Sequence, residues 1–374
     1  MAVTHEALTI LLPLYLLSIG ASPAQAALAV GLRGLGVLLF DVPAGMLVAR
    51  FGDKPVLLGG LALILSGLVV FTVTAQSALI GAAALAIGFG HAAWMLGRQS
   101  YLADVCATPE LGRALAAMAG LQRGGALIGP FAGGLVAGVA GYPAAFAVGA
   151  TFAVIAGATV LAFARAVPPH ENPDASWAGT MKVLRAQSGV LATAGSSALV
   201  LQLMRATRQL LVPLSGQAVG LDVTTIGLVY SAATVVDIAL FYPSGVLADR
   251  WGRKWSAVPS MAFYALGLAA LPLVTGLYSL LAVTVLLGFA NGIGTGVVMI
   301  IGADLARASG RQGQFLGLWR LIGDVGLSGA PLLAGAIVKA AGLAAASLSV
   351  AGIGVAGVLV MAFAVRETLG GRHT

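Results

Sequence analysis

Long, unbroken runs of apolar residues alternate with short polar segments along most of this chain. Most runs have about the 20 residues that an α-helix needs to cross roughly 30 Å of hydrocarbon. They are continuous, unlike the roughly ten-residue alternating segments of a membrane β-barrel. The pattern therefore predicts an all-α polytopic membrane protein with twelve transmembrane helices. Their predicted positions are residues 7–20, 26–49, 55–74, 78–103, 113–139, 143–165, 190–214, 223–248, 255–275, 278–303, 313–338 and 343–364.

The first predicted helix is too short to span a bilayer. The seventh has more residues before its proline, so we expect the N-terminus to be truncated within the first helix. The opening "THEALTILLPLYLLSIG" has no basic segment before its apolar run, so we do not interpret it as a signal peptide.

Composition agrees with a membrane protein, since 59% of residues are hydrophobic and only 9% are charged. Soluble domains carry about 25% charged residues. The single cysteine, Cys106, excludes an intrachain disulfide. The net charge of +7 reflects basic loops and does not indicate nucleic-acid binding.

Basic residues are concentrated on one side of the predicted membrane. The opposite side holds only Lys339. By the positive-inside rule, this asymmetry predicts that both termini and the 166–189 loop are cytoplasmic. The basic residues on the predicted cytoplasmic side are Arg50, Lys54, Arg113, Arg165, Lys182, Arg185, Arg250, Arg253, Lys254, Arg307, Arg311, Arg366 and Arg372.

The two halves of the chain repeat each other at an offset of about 200 residues. "LPLYLLSIG" (12–20) corresponds to "VPLSGQAVG" (212–220), and "GFGHAA" corresponds to "GFANGI" in the same register. We therefore predict two pseudo-symmetric six-helix bundles, 1–166 and 190–374, joined by a cytoplasmic linker at 167–189.

A charged phrase occurs once in each half, as "GMLVARFGDK" (45–54) and "GVLADRWGRK" (245–254). It resembles the loop signature of the major facilitator superfamily, although Ala49 and Asp53 depart from the pattern in the first copy. The resemblance implies transport by alternating access, with this loop as a gate. Asp249 is expected to pair with Arg250, Arg253 or a neighbouring helix start. The signature positions are Gly45, Arg50, Gly52, Lys54, Gly245, Asp249, Arg250, Gly252, Arg253 and Lys254.

A second phrase, "GALIGPFAGG" (125–134), resembles the antiporter motif of exporters in that superfamily. Its glycines form a face that allows another helix to approach closely, and its proline predicts a kink. The early arginine of the family's fourth helix is absent here. The motif positions are Gly125, Gly129, Pro130, Gly133 and Gly134.

Charged residues within the predicted spans are costly unless they are paired or wetted. Six arginines accompany three aspartates, which the sequence presents as the only spanning carboxylates. Their depths predict the pairs Asp41–Arg320 and Arg123–Asp237, with Asp324 competing for Arg320. The surplus of arginine indicates an anionic substrate, because guanidinium binds carboxylate or phosphate in bidentate fashion.

The candidate site residues fall into two groups. The proton-coupling candidates are Asp41, Asp324, Asp237 and His91. The substrate-cavity candidates are Arg33, Arg123, Arg205, Arg208, Arg320, Gln122, Gln202, Asn291, Trp94 and Trp319. No catalytic dyad, metal-ligand cluster, cofactor motif or nucleotide-binding loop is evident, so we do not expect an enzyme or an ATP-driven pump.

The sequence is best interpreted as a monomeric, proton-coupled exporter of a small amphiphilic molecule, in which an acidic group is favoured. We place it in the lipid bilayer of a bacterial cytoplasmic membrane. Two alternatives stay open. One is a proton-coupled importer of an organic anion or sugar, and the other is a non-transporting membrane sensor or scaffold.

Overall fold

The structure is a computed structural model that describes residues 1–106, 108–165, 177–309 and 312–369. Within these ranges the chain is all-helical and contains no β-strand. Two basic residues of the predicted loops, Arg311 and Arg372, lie outside the described ranges, as do residues 166–176 of the predicted linker. In chain order the main helices are α1 (Ala2–Ser18), α2 (Pro23–Phe51), α3 (Asp53–Val73), α4 (Ser77–Val105), α5 (Thr108–Ala140), α6 (Tyr142–Phe163), α7 (Trp177–Ala186), α8 (Ser196–Ala218), α9 (Val223–Trp251), α10 (Lys254–Ala270), α11 (Leu277–Ile293), α12 (Val297–Ala308) and α13 (Gln312–Leu359).

Ten helical segments of the described chain are long and apolar enough to cross a membrane, against the twelve predicted. One difference is α1, whose 17 residues fall short of a full span. The other is the last segment, Gln314–Ala364, which joins the last two predicted helices over 51 residues. A straight helix of that length would measure about 75 Å, far more than a bilayer. It is interrupted at Gly342, where φ is 87° and ψ is 175°.

The predicted helix 278–303 is also not continuous. Helix α11 ends at Ile293 and α12 begins at Val297. Between them, Gly296 adopts the left-handed conformation with φ 78°. A residue with a Cβ is strained in this region, so the glycine-rich run "NGIGTG" allows the break.

The sequence repeat is visible in the backbone. Left-handed glycines occur at equivalent positions of the two halves, namely Gly20 and Gly220, Gly52 and Gly252, and Gly141 and Gly342. Gly296 is the exception, because the equivalent residue of the first half, Leu96, lies inside the uninterrupted helix α4. The two halves therefore share their turns but differ at this helix break.

The chain divides into two compact units. The first comprises Met1–Asn172 and Leu221–Ser231, and the second comprises Pro173–Gly220 and Ala232–Thr374. In the first unit α4 packs against α2 and α3, α1 against α5, and α3 against α6. In the second, α13 packs against α8, and α10 against α11 and α13. Helix α7 lies within the range predicted as a linker.

Large apolar side chains are exposed at the outside of both units. Phe163 is 80% exposed and Phe363 is 84% exposed, whereas Phe71 and Tyr264 are fully buried. Such exposure suits contact with lipid, because an apolar surface is solvated by acyl chains and not by water.

Candidate functional site

A pair of histidines lies at the centre of a polar cluster in the first unit. The rings of His5 on α1 and His91 on α4 are stacked, with centroids 3.8 Å apart and an interplanar angle of 9°. Arg33 on α2 reaches the same pair, and its Nη2 lies 3.1 Å from Nδ1 and 3.2 Å from Nε2 of His5. Three helices thus bring two imidazoles and a guanidinium into contact.

Glycine makes this contact possible. A Cβ at Gly88 on α4 would overlap the carbonyl oxygen of Arg33, and one at Gly36 on α2 would lie 3.0 Å from the Cα of Gly88. The two helices therefore touch backbone to backbone, as small residues permit in membrane bundles. His91 lies one turn after Gly88, which places its ring beside Arg33.

A cavity of about 30 Å³ adjoins the histidine pair. Trp94, Arg98 and Gln122 line it, together with Glu6 on α1. The Cζ of Arg98 lies 6.0 Å from the centroid of the Trp94 ring, and its Nη2 donates to Sδ of Met95 at 3.1 Å. The cavity is large enough for water, and its lining combines one arginine, one carboxylate and two imidazoles.

Two members of this cluster, His5 and Glu6, were not predicted as site residues. The sequence placed the start of the first helix at residue 7, which is wrong, because α1 begins at Ala2. Both residues lie within α1, so Glu6 is a carboxylate of the first helix that the prediction of three spanning aspartates left out. A polar residue at the end of an apolar run is easily excluded from a predicted helix.

The second unit contains a chain of hydrogen bonds around Asp237. The Tyr264 hydroxyl donates to Oδ1 of Asn291 at 2.8 Å, and Nδ2 of Asn291 donates to Oδ2 of Asp237 at 2.6 Å. The hydroxyl of Thr295 donates to Oδ1 of Asp237 at 3.3 Å. Asp237 on α9 is thereby tied to α11 and to the break that follows it.

Arg205 on α8 lies against that break. Its Nη2 donates to the carbonyl oxygen of Gly294 at 2.8 Å, and its Nη1 donates to Oε1 of Gln202 at 2.9 Å. Its Nε is buried and has no hydrogen-bond partner within the described ranges. Arg208, one turn along α8, is 5% exposed and its Nη1 lies 3.5 Å from the carbonyl oxygen of Leu287.

The remaining candidates of the second unit lie on α13. Nε of Arg320 is 3.6 Å from Oδ2 of Asp324, so these i,i+4 neighbours are paired on one helix. Trp319 is 5% exposed and its indole N–H donates to the carbonyl oxygen of Val298 at 3.0 Å. Its position is that of a residue packed between helices.

The pairs Asp41–Arg320 and Arg123–Asp237 each join a residue of the first unit to one of the second. Both pairs stay predictions from sequence. The roles assigned to the proton-coupling and substrate-cavity candidates likewise stay predictions.

The charged signature of the second unit forms a compact network. Nη1 of Arg253 lies 2.6 Å from Oδ1 of Asp249, and its Nε lies 3.1 Å from Oδ2 of Asp304. Glu367, beyond α13, accepts hydrogen bonds from the backbone N–H groups of Arg253 at 2.8 Å and Lys254 at 3.1 Å. Glu367 therefore occupies the positive N-terminal end of α10.

Two opposing effects act on the Glu367 carboxyl. Partial burial raises its pKa, but the hydrogen bonds from the backbone N–H groups of Arg253, Lys254, Leu369 and Thr368 together outweigh burial and lower the pKa below its ordinary value of 4.5. The ionised form is thus the one that holds the loop.

The first copy of the signature is built differently. Nζ of Lys54 donates to the carbonyl oxygens of Leu161 and Ala164 at 3.0 and 2.8 Å, much as Nζ of Lys254 donates to that of Ala362 at 2.9 Å. The acid–base pair of the second copy has no equivalent, because Ala49 replaces the aspartate and Asp53, 2% exposed, replaces the arginine.

The glycines of the α5 motif lie against α1. A Cβ at Gly125 would lie 2.5 Å from Cβ of Ala2, one at Gly129 would lie 2.6 Å from the carbonyl oxygen of Val3, and one at Gly133 would lie 2.8 Å from Cβ of Ala7. The predicted close helix approach is thus present, and α1 is the helix that approaches.

Ten long apolar helical segments in the described chain define a polytopic membrane protein, and polar networks lie inside both of its units. No cluster of three metal-ligating side chains occurs in the part of the chain that the structure describes. The sequence matches the model of the Major Facilitator Superfamily twice, over residues 1–215 and 194–373. The chain belongs to this superfamily, and it is an integral membrane protein and a secondary transporter of small molecules, not an enzyme.

The fold is similar to that of a solved transporter. The crystal structure of a mutant of the nucleoside transporter NupG aligns with a TM-score of 0.78 and 13% sequence identity, over 97% of this chain and 96% of that one. At this identity the similarity concerns the fold alone. A sequence search among curated proteins finds no match.

Proposed function

We propose that this transporter moves a small amphiphilic molecule that carries an acidic group, and that it couples the movement to protons. The observation that carries the proposal is Arg205. Inside the second unit its guanidinium donates to the side-chain amide of Gln202 and to the backbone carbonyl of Gly294. Its Nε has no hydrogen-bond partner within the described residues. A buried cation without a carboxylate partner is costly, and a substrate anion would relieve that cost.

The count of charges within the helices supports this substrate class. When Glu6 is added to the charges that the sequence places inside its predicted spans, six arginines accompany four carboxylates, so the surplus is smaller than predicted but still positive. Nε and Nη2 form the side edge of a guanidinium, and this edge matches the two oxygens of a carboxylate. On Arg205 that edge combines the unpartnered Nε with the Nη2 that faces Gly294.

Efflux is the proposed direction. It is supported by the antiporter-like glycine face of α5, which packs on α1. We place the protein as a monomer in the bacterial cytoplasmic membrane, with both termini in the cytoplasm. The basic loops support this orientation.

Import of an organic anion together with a proton is the second candidate. One observation favours it, namely the contact between Arg33 and the neutral imidazole of His5. In that arrangement a proton on the imidazole and an anion on the guanidinium can bind together.

A ligand screen followed by a directional assay tests the proposal. Purified protein is screened by thermal shift against organic acids, sugars and antibiotics at several pH values. The best acid is then followed in proteoliposomes with a pH gradient imposed in either direction. We expect acids to raise Tm more than their amides do, and Arg205→Gln to abolish that difference.

Arg307→Gln is the matched control, because Arg307 is 72% exposed and remote in sequence from α8. Equal responses to acids and to uncharged analogues in the native protein would contradict the proposed substrate class. Movement of the acid in the direction opposite to the proton flow supports efflux by exchange. Movement of the acid in the same direction as the protons supports import.

A further inference from the structure

The stacked histidines of the first unit carry an inference about how a proton and a substrate are linked. His5 and His91 are the only two of the four histidines that lie in the described helices, since His170 and His373 fall outside the described residues. Their rings are parallel within 9° and 3.8 Å apart. Arg33 touches one member of the pair.

The contact with Arg33 requires a neutral His5. Nη2 of Arg33 lies 3.1 and 3.2 Å from the two ring nitrogens of His5, so it faces the ring and not the lone pair of one nitrogen. A neutral imidazole tolerates a guanidinium at this distance. An imidazolium would be a second cation in contact with the first, and the two would repel each other.

Other charged groups surround the pair. Helix α4 contributes Arg98, and α1 contributes Glu6, which lines the same cavity. Helix α5 contributes Gln122 to the cavity wall, and Arg123 follows it in the chain. Cations therefore outnumber the one carboxylate, and a proton added to the pair increases that imbalance.

We propose that His5, His91 and Arg33 form a proton-linked anion site, at which a proton on the imidazole pair and a carboxylate on Arg33 bind together. The proposal rests on the acidic substrate class proposed above. Protonation places two cations about 3 Å apart, and Glu6, the carboxylate that attracts Arg33, can balance only one of them. A carboxylate that bridges the imidazolium and the guanidinium restores the balance of charge and accepts a hydrogen bond from each.

The adjoining cavity of about 30 Å³ provides space for the exchange. It has room for a water or two, which can deliver the proton to His5 or His91, and Arg98 and Gln122 form part of its wall. By linkage, if a carboxylate raises the affinity for the proton, the proton raises the affinity for the carboxylate by the same factor. Such cooperative binding drives a proton and an anion in the same direction, as in the second candidate function.

The test uses acetate as the probe and acetamide as its neutral control. Full-length protein carrying His170→Asn and His373→Asn is labelled with ¹⁵N-histidine, so that only His5 and His91 give imidazole signals. We expect acetate at pH 6.5 to convert the neutral imidazole signal into the imidazolium signal, and acetamide to leave it unchanged. Acetate should bind at least about tenfold more tightly at pH 5.5 than at pH 8.

Single-residue variants show which side chains the acetate-induced protonation requires. Arg33→Gln should abolish the acetate-induced protonation, while Arg307→Gln, an exposed arginine of the second unit, should retain it. Glu6→Gln should also retain it. Loss of the effect in Glu6→Gln together with its retention in Arg33→Gln would show that Glu6, and not Arg33, links acetate to the imidazole proton, and would overturn the assignment. The protein with His170→Asn and His373→Asn carries no change inside the described helices. Its acetate titration therefore decides the proposal even where a helix variant fails to fold.

Acetate binding with the same affinity at both pH values would overturn the linkage. If organic acids are nevertheless transported, the proposed function survives without this site. If acetate protonates the pair but no acid is transported, the site is present and the proposed function fails.

Discussion

Arg205, Asn291 and Tyr264 show how single polar side chains are accommodated inside the second unit. Arg205 donates to a backbone carbonyl that the break after α11 exposes, and Asn291 serves both as acceptor from Tyr264 and as donor to Asp237. In a membrane bundle such groups have no bulk water to bind. Each therefore needs a partner from another turn or another helix.

Tyr264→Phe tests the value of one such bond. It deletes the hydroxyl that donates to Oδ1 of Asn291 at 2.8 Å and leaves that acceptor buried. We expect the free energy of unfolding to fall by about 1–3 kcal/mol. Thermal unfolding of the purified protein measures it, with Tyr278→Phe as control because Tyr278 is 85% exposed. Equal Tm values for the two variants would show that the bond contributes nothing.

Glu367 makes a pH-dependent contribution to stability. The folded protein holds its pKa below the ordinary 4.5, so the stabilisation is present above pH 4.5 and is lost as the pH falls through the lowered pKa. We expect Tm to drop on acidification below about pH 4.5, and Glu367→Gln to lower Tm at pH 7 and to reduce that drop. If the dependence of Tm on pH were the same in Glu367→Gln and in the native protein, the carboxylate of Glu367 would not stabilise the N-terminus of α10.

At the scale of elements, glycine decides where helices touch. Gly125, Gly129 and Gly133 recur every fourth residue on α5, so they share the face on α1. Gly124 lies beside this face and a Cβ there meets nothing within 4 Å. Of two adjacent glycines on one helix, Gly125 is therefore required for close packing on α1 and Gly124 is not.

Gly129→Ala and Gly124→Ala form a matched pair for this interface. A Cβ at Gly129 meets backbone atoms of Val3 and Ala7, which cannot move aside without shifting α1. We expect a loss of about 1–3 kcal/mol for Gly129→Ala, typical of overpacking. Gly124→Ala should be neutral or slightly stabilising, because alanine favours helix. Thermal unfolding compares them, and equal losses would exclude the α1 contact as the cause.

At the scale of the whole molecule, the two repeated halves of the chain differ at their signature loops. The second copy joins Asp249, Arg253 and Asp304 with the tail residue Glu367. In the first copy Ala49 and Asp53 take the places of Asp249 and Arg253. The sequence alone suggests that Ala49→Asp would restore the gate, but it would place two carboxylates at i,i+4, which repel.

We therefore expect Ala49→Asp alone to destabilise the first loop, and Ala49→Asp with Asp53→Arg to rebuild the pair of the second copy. If the loop is a cytoplasmic gate, the double variant should reduce labelling of cysteines placed on that side, in a Cys106→Ser background. The same labelling in the single variant, the double variant and the native protein would refute a gating role for this pair.

Much of the fold was predictable from sequence because it depends on local chemistry. Apolar runs locate the helices, and the repeat locates equivalent turns, such as the left-handed Gly52 and Gly252. The break at Gly294–Gly296 was missed, since an apolar run does not show where a backbone leaves the helix. His5 was missed because it lies at the polar end of such a run.

The sequence by itself determined the class of this protein, its helical composition, its duplication and most of the charged residues inside its helices. These follow from the cost of polar groups in hydrocarbon, which acts on every residue separately. Only the tertiary structure decided which groups meet. Residues from different helices meet where His5 stacks on His91 and where Arg33 contacts His5. Arg205 likewise donates a hydrogen bond to Gly294, in the break after another helix. They depend on helix rotation and on close glycine packing, and neither is encoded in the spacing along one helix.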